Sequence, residues 1–345
     1  MKIENFYGIH SSGASFEGMD RNFFGRENIL IIKKTIKKNL KKMSITKKDL
    51  ENKIIMNVGS GREALGFLYY KPEKIFHYDI SNRNIKRFNQ YIKLNNLKKK
   101  IESNQLDLSK NNLPRKKFDF IYLHGIIQHV DHVDKALRNL ILSMKLNGKM
   151  WFYFYRPGSL NVFLGSLQRK LLENLKIETF KNFLERTVER NFFDGIMDDC
   201  YVPNRQLFYP KTYNENLKKN FIINFGNTFL KNYSHKVDFL NYHQSVVFFL
   251  KKKKEISKIN LNGLRRNEQE HVLNKTLYKN KKYINIDHIM NSIDKIKKNK
   301  NIFEIVIKLE LIKKKVKNIF FKRSKLTQKE FLKIQKNIYT ILNSS

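Results

Sequence analysis

The stretch IIMNVGSGREALGF, residues Ile54 to Phe67, decides how the rest of the chain is interpreted. An apolar run ends in two glycines with G-x-G spacing, Gly59 and Gly61, and a helical pattern follows. A buried strand that leads through glycines into a helix is typical of an open α/β sheet, where ligands bind at the carboxyl ends of the strands. Glycines suit such a loop because no side chain separates the backbone from a ligand.

The loop is a poor match to the common nucleotide-binding loops. A dinucleotide-binding loop carries a third glycine near the position of Glu63, and a carboxylate there would repel a diphosphate. The G-K-[ST] sequence of a P-loop is also missing. The sequence therefore argues against NAD, FAD and nucleoside triphosphates as ligands of this loop.

Strand and helix patterns alternate around the loop, from residue 51 to about residue 156. The strand patterns are KIIMNVG, KIFHYDI, IESNQLDLS, FDFIYLHGI and MWFYFY. Two further patterns, FIINFGNTF and HQSVVFFLKK, predict closing strands. Such alternation predicts a doubly wound, mostly parallel sheet with right-handed crossovers, here of seven strands.

The chain divides into three predicted regions. We expect residues 1–50 to form an N-terminal helical, gating segment. Residues 51–252 are expected to form the α/β domain, with a helical lid insert at 157–210. Residues 253–345 predict a Lys-rich, mainly helical extension. Four candidate helix caps mark boundaries, and they are the pairs Thr46–Asp49 and Thr327–Glu330 and the single residues Ser81 and Asp131.

Two aspartates end neighbouring predicted strands. Asp79 closes the second strand, 18 residues after Gly61, where its carboxylate can accept hydrogen bonds from both hydroxyls of a ribose. Asp107 ends the third strand, where it can accept a hydrogen bond from an adenine amino group. The order of loop, Asp79 and Asp107 favours a nucleoside ligand.

The block FDFIYLHGIIQHVDHVDKALRNLILSMKLNGKMWFYFY resembles the fourth and fifth strands of class I S-adenosylmethionine-dependent methyltransferases. The matching positions are Phe118, Asp119, Ile121, His129 and Gly148. The resemblance covers residues 54 to about 155 well and extends to about residue 252. The first 45 residues and the tail show no such resemblance.

The resemblance implies S-adenosyl-L-methionine as cofactor. By position, Gly59 and Gly61 would cradle its methionine part, Asp79 its ribose and Asp107 its adenine. The complete set of implied cofactor-binding residues is Asn57, Gly59, Ser60, Gly61, Asp79, Ile80, Asp107, Leu108 and His124. The family usually has an acidic residue where Asn57 stands, so this chain departs from it there.

The acceptor is expected to be a small molecule, because small-molecule enzymes of this family often build a lid after the fifth strand. His129 and His124 are candidate general bases. Tyr155, Arg156, Arg205 and Tyr209 are candidate substrate-binding residues. LHGIIQH stands where an N-P-P-Y phrase would indicate methylation of a nucleobase or glutamine amide. The spacings in HGIIQHVDHVDK match no metal signature, so we expect no metal.

Composition leaves one alternative open. A formal charge of +38 is compatible with a basic nucleic-acid-binding or RNA-methylating protein on the same fold, with or without catalysis. Lysine outnumbers arginine among the 69 basic residues, which favours a compositional origin, since nucleic-acid recognition favours arginine. The single cysteine, Cys200, and the absence of a signal-peptide or membrane-spanning pattern predict a cytoplasmic protein. The oligomeric state stays open.

Overall fold

A seven-stranded sheet forms the centre of the fold. The computed structural model describes residues 24–155, 160–187, 196–197, 200–202, 221–225, 245–255, 286–297, 302–322 and 326–343. The strand order is β3-β2-β1-β4-β5-β7-β6, and β6 and β7 pair antiparallel while the pairs among β1 to β5 are parallel. The strands are β1 (Ile54–Val58), β2 (Lys74–Asp79), β3 (Ile101–Gln105), β4 (Phe118–Leu123), β5 (Met144–Tyr155), β6 (Phe221–Phe225) and β7 (Ser245–Lys252). This sheet confirms the predicted doubly wound, mostly parallel fold.

Nine α-helices lie within the described parts of the chain. They are α1 (Arg26–Lys42), α2 (Arg62–Phe67), α3 (Asn82–Leu94), α4 (Val133–Ser143), α5 (Leu160–Leu172), α6 (Ile177–Thr187), α7 (Ile286–Ile296), α8 (Ile302–Lys322) and α9 (Gln328–Asn343). Single 3₁₀ turns follow α2 at Leu68–Tyr70 and β4 at Ile127–His129. No helix in these parts is long and apolar enough to cross a membrane.

The register of the parallel strands brings their carboxyl ends to one edge. Val58, the last residue of β1, pairs with Tyr78 of β2 on one side and with Leu123 of β4 on the other. Asp79 at the end of β2 pairs with Gln105 at the end of β3. The loops that follow these four strands therefore meet at the same edge, where the strand order reverses between β1 and β4.

Helix α1 packs against α2 at a close approach. A Cβ atom on Gly66 of α2 would lie 2.7 Å from Cδ1 of Ile36, so the end of the Ile36 side chain would have to shift to admit one. The amide of Asn39 also donates a 3.0 Å hydrogen bond to the hydroxyl of Tyr122 in β4. The N-terminal helix is thereby anchored to the sheet by a buried apolar contact and by one polar bond.

Asp119, which follows Phe118 in the block that resembles the methyltransferase family, has a structural role. Asp119 lies near the start of β4, at the edge opposite the loops described above. Its Oδ2 accepts hydrogen bonds from the backbone N–H of Ile54 (2.9 Å) and from Nζ of Lys145 (2.8 Å). The carboxylate therefore fixes the beginning of β1 beside β4.

Three local predictions were wrong. Strand β5 begins at Met144 and not at Met150, where the MWFYFY pattern begins. Met144 pairs with Phe118 of β4, and the pairing continues at Lys149 after a shift in register. Thr46 and Asp49 do form the predicted hydrogen bonds (2.8 Å), but they close a turn and no helix follows. His132, and not Asp131, is the N-cap residue of α4, and its side chain makes no capping bond. Ser81 and the Thr327–Glu330 pair are confirmed as caps of α3 and α9.

The chain forms two compact units. The first comprises residues 1–154, 210–233 and 246–266, and the second residues 155–209, 234–245 and 267–345. Within the second unit, the amide of Gln168 on α5 donates to the carbonyl of Val306 and to Glu310 on α8, and Lys313 also reaches Glu310. The helices after β5 therefore pack with the C-terminal helices. The predicted three-region division stays a prediction.

Candidate active site

The glycine loop at the end of β1 is held in a conformation that only glycine adopts easily. Gly59 has φ +124° and Gly61 has φ +84°. A Cβ atom on Gly61 would lie 3.0 Å from the ring of Phe88 on α3, and one on Gly59 would lie 3.1 Å from Ile126 after β4. Backbone conformation and close packing thus both exclude side chains here, and the loop presents bare backbone at the carboxyl edge of the sheet.

His77 fixes this loop from within the sheet. Its imidazole is fully buried, with Nε2 2.5 Å from the carbonyl oxygen of Gly59 and Nδ1 2.8 Å from Oγ of Ser103 on β3. A carbonyl only accepts, so Nε2 carries the proton and Nδ1 accepts from the serine hydroxyl. Burial lowers the pKa of His77 to about 4, although the bond to Gly59 opposes it, so the ring is neutral at physiological pH.

Asp79 places a buried carboxyl beside the loop. Its Oδ1 accepts from the Ser81 N–H at 2.7 Å, and its Oδ2 lies 3.4 Å from the amide nitrogen of Asn84. Burial raises its pKa to about 7, while these two hydrogen bonds act in the opposite direction. A ligand that donates hydrogen bonds to this carboxylate would stabilise its charged form.

Asp107 lies two residues beyond the end of β3 and is engaged within its own turn. Its Oδ1 accepts from the backbone N–H (2.9 Å) and hydroxyl (2.6 Å) of Ser109, and its Oδ2 pairs with Lys110 at 2.9 Å. These bonds and the charge of Lys110 lower its pKa against the effect of burial. The carboxylate retains lone pairs for a ligand, but the adenine contact stays a prediction.

Three further loop residues of the implied set, Ser60, Ile80 and Leu108, take different positions. The Ser60 hydroxyl lies 3.3 Å from the carboxylate of Glu63. The carbonyl of Ile80 accepts a 2.9 Å hydrogen bond from Gln105, and Leu108 is buried. All three belong to loops that leave the carboxyl edge, as the sequence predicts, and their cofactor contacts stay predictions.

His124 is the first residue after β4 and faces Glu63. Its Nδ1 lies 3.5 Å from Oε1 of Glu63, at the beginning of α2. The imidazole continues an aromatic stack, with interplanar angles of 12° to Tyr122 and 23° to Trp151, and the ring of Tyr153 meets it edge-on. The sequence identified His124 but gave Glu63 only a repulsive role, because the partner lies 61 positions away in the chain.

Two buried side chains at this edge carry polar atoms without hydrogen-bond partners. Neither amide atom of Gln128, in the 3₁₀ turn after β4, is bonded. Oδ1 of Asn57 is also unbonded, while its Nδ2 lies 3.4 Å from the carbonyl of Tyr122. Unpaired buried polar atoms cost free energy, so these two side chains are positions where a water molecule or a ligand at this edge would be stabilised. His129 follows Gln128 and is buried.

The comparison with protein families decides the identification. Residues 56–152, which include the glycine loop, Asp79 and the loop after β4, match a family model described as a methyltransferase domain. Residues 56–152 are therefore similar to a methyltransferase domain. The bare glycine loop and the buried carboxyl at the end of β2 fit S-adenosylmethionine as its cofactor. A search of curated proteins found no match.

Solved structures with a similar fold include an S-adenosylmethionine-dependent methyltransferase from Mesorhizobium loti. It has 13% sequence identity to this chain and a TM-score of 0.39, and the alignment covers 59% of this chain and 93% of the Mesorhizobium loti chain. PKMT2 from Rickettsia typhi, in complex with AdoHcy, has 14% identity and a TM-score of 0.41 over 61% of this chain and 51% of that one. The [4+2]-cyclase SpnF has 14% identity and a TM-score of 0.32 over 35% and 44%. The chain thus spans about half the length of the latter two, and these likenesses carry no argument about activity.

The remaining predictions for the methyltransferase site concern the acceptor side. Tyr155 is the last residue of β5, and Arg156, Arg205 and Tyr209 lie outside the described residues, as does the side chain of Tyr155. Within the described residues, no group of three or more His, Cys, Asp and Glu side chains is placed to hold a metal ion. His77 and Gln128 were missed by the sequence analysis, because each resembles an ordinary buried position until its neighbours from other strands are known.

Proposed function

We propose that the chain is a methyltransferase that transfers the methyl group of S-adenosylmethionine to a small-molecule acceptor by in-line displacement. The observation that carries the proposal is the glycine loop at the end of β1, fixed by His77 and Phe88 beside the buried carboxyl of Asp79. The family match supports methyl transfer, and the choice of a small acceptor is ours.

Three segments would hold the cofactor. The backbone of Gly59 to Gly61 would take the methionine part, with the unbonded Oδ1 of Asn57 close to the start of this loop. Asp79 would accept from the ribose hydroxyls. The turn at Asp107 and Leu108 would border the adenine. We infer these roles by position in the family pattern.

The cofactor supplies an electrophilic methyl group on a sulfonium, which is already a good leaving group. The protein therefore mainly aligns the acceptor and excludes water. His124 and His129 follow β4 at the carboxyl edge and are our candidates for accepting an acceptor proton. Tyr155, Arg156, Arg205 and Tyr209 are our candidates for acceptor binding, in a cytoplasmic enzyme.

The experiment is a turnover assay on the full chain with S-adenosylmethionine and pools of small-molecule acceptors. S-adenosylhomocysteine formation is followed with enzymes that remove it, and Asp79→Ala serves as the inactive control. We expect acceptor-dependent product that the control lacks. Product with RNA alone, with an affinity that falls steeply with salt, would favour the RNA-methylating alternative. No product with any pool, from protein that binds the cofactor, would contradict the proposal.

A further inference from the structure

Glu63 is a buried carboxylate whose position the proposed cofactor site does not explain. Its side chain is 8% exposed, against 36% for His124, whose Nδ1 it faces at 3.5 Å. Glu63 stands at the first turn of α2, directly after the glycine loop. A buried acidic group is costly unless it is paired, so the imidazole is the natural reason for its presence.

The surroundings keep Glu63 charged. Burial by itself raises the pKa of the carboxyl, but the interaction with His124 and the charge of Arg62 outweigh it, and the net pKa lies below the ordinary value. The hydroxyl of Ser60 also lies 3.3 Å from Oε2. Glu63 therefore faces His124 as a carboxylate, which only accepts hydrogen bonds.

The facing carboxylate decides which nitrogen of His124 carries a proton. A carboxylate that faces Nδ1 at 3.5 Å favours a proton on this nitrogen, and in the neutral ring with that proton Nε2 has a free lone pair. The two ring nitrogens point away from each other, and Nδ1 is turned to the buried side. The stack on Tyr122 and Trp151 and the edge contact with Tyr153 restrict rotation of the ring, so the orientation is fixed from three sides.

We propose that Glu63 is a positioning residue that holds the Nδ1–H of His124, so that Nε2 accepts the proton of an acceptor hydroxyl during methyl transfer. The inference rests on the proposed function and narrows it to acceptors that carry an O–H group. The acceptor oxygen gains the methyl carbon, the sulfur keeps the electron pair of the broken S–CH3 bond, and the proton moves from oxygen to Nε2 and then to solvent.

The groups that could influence this pair are few within the described residues. Tyr122 on the same strand and Tyr153 on β5 face the imidazole with their rings. Arg62 acts on Glu63 through its charge, and the charge of Glu63 in turn acts on the buried His77. Within the described residues, Glu63 is the carboxylate that faces Nδ1 of His124, so one substitution removes the proposed interaction.

The first test needs no turnover. ¹⁵N NMR of histidine-labelled protein without ligand reports which ring nitrogen is protonated, with His124→Gln assigning the signal. We expect the Nδ1–H tautomer in the wild type, its partial loss in Glu63→Gln, and no change in Glu73→Gln, an exposed carboxylate before β2. A wild type with the proton on Nε2 would overturn the inference whatever the activity.

The second test separates positioning from cofactor binding. With a hydroxyl acceptor, Glu63→Gln should lower kcat about 10- to 100-fold, a part of the roughly 10²- to 10⁴-fold that a general base contributes. KM for the cofactor and Kd for S-adenosylhomocysteine should change less than about threefold. Glu63→Gln should have no further effect in a His124→Asn background, because the two residues act as a unit.

The outcomes distinguish a failure of the inference about Glu63 from a failure of the proposed function. A tenfold or larger loss of S-adenosylhomocysteine binding in Glu63→Gln, with kcat unchanged, would mean that Glu63 binds the cofactor and would overturn the inference. Additive effects of the two substitutions on kcat would overturn it as well. A wild type with the expected tautomer that binds no S-adenosylhomocysteine would instead refute the proposed function, and the catalytic part of the inference with it.

Discussion

Replacing Asp79 with asparagine should remove the loss of folding stability that the buried carboxyl causes as pH rises. Burial raises the pKa of Asp79 from 3.8 to about 7. The folded state therefore binds this proton more tightly than the unfolded state, and the wild type loses stability as pH rises from about 4 to about 7. A difference of about 3 pKa units corresponds to at most about 4 kcal/mol. Asparagine does not titrate, so the variant escapes this loss.

The assay is urea unfolding followed by tryptophan fluorescence between pH 4 and pH 8. The chain has one tryptophan, Trp151, which is buried in β5 and reports on the sheet. We expect the stability of Asp79→Asn relative to the wild type to rise by up to about 4 kcal/mol between pH 4 and pH 7 and then to stay constant.

Asp107→Asn is the matched variant, and its effect on stability at pH 7 should be opposite to that of Asp79→Asn. Asp107 has a lowered pKa, because the bonds from Ser109 and Lys110 outweigh burial. Its carboxylate stabilises the folded state above the unfolded pKa, so Asp107→Asn should be less stable than the wild type at pH 7, with no trend between pH 5 and pH 8. A flat difference for Asp79→Asn between pH 4 and pH 7 would refute the account of a buried, protonatable carboxyl at the end of β2.

Three further predictions follow from the same edge of the sheet. Gly61→Ala should cost about 1–2 kcal/mol of stability from the positive φ of this residue alone. Calorimetry should show weaker binding of S-adenosylhomocysteine by this variant, and unchanged binding would exclude the loop from the site. His77→Leu leaves the Gly59 carbonyl and the Ser103 hydroxyl unpaired, so urea unfolding should show a loss of about 2–4 kcal/mol; a neutral result would mean that the network does not hold the loop. Gln128→Leu removes two unbonded buried atoms, so it should raise the stability of the free protein by about 1–3 kcal/mol while lowering turnover, and lower stability would contradict the assignment.

The sequence predicted the fold because its signals are local. The apolar runs of β1, β2 and β4 and the amphipathic helices between them depend on neighbouring residues, and the glycine loop needs only its own backbone. The boundary of β5 was wrong because Met144 and the next residues pair with β4, which the turn-like sequence before Gly148 does not indicate.

The site was predictable only in part, because several of its contacts join residues far apart in the chain. Gly59, Gly61 and Asp79 lie where the pattern predicts. Glu63 looked like a defect in the loop, and its partner His124 is brought to it by the β1–β4 pairing. His77 is one of several buried residues in β2, and its role emerges from Ser103 on the neighbouring strand.

The most direct test of the central claim is calorimetric titration of the full chain with S-adenosylmethionine and, separately, S-adenosylhomocysteine, repeated with Asp79→Ala. We expect micromolar binding of both ligands by the wild type and its loss in the variant, with the variant still folded by tryptophan fluorescence. Failure of the folded wild type to bind either ligand would contradict the claim that the glycine loop and Asp79 form a cofactor site.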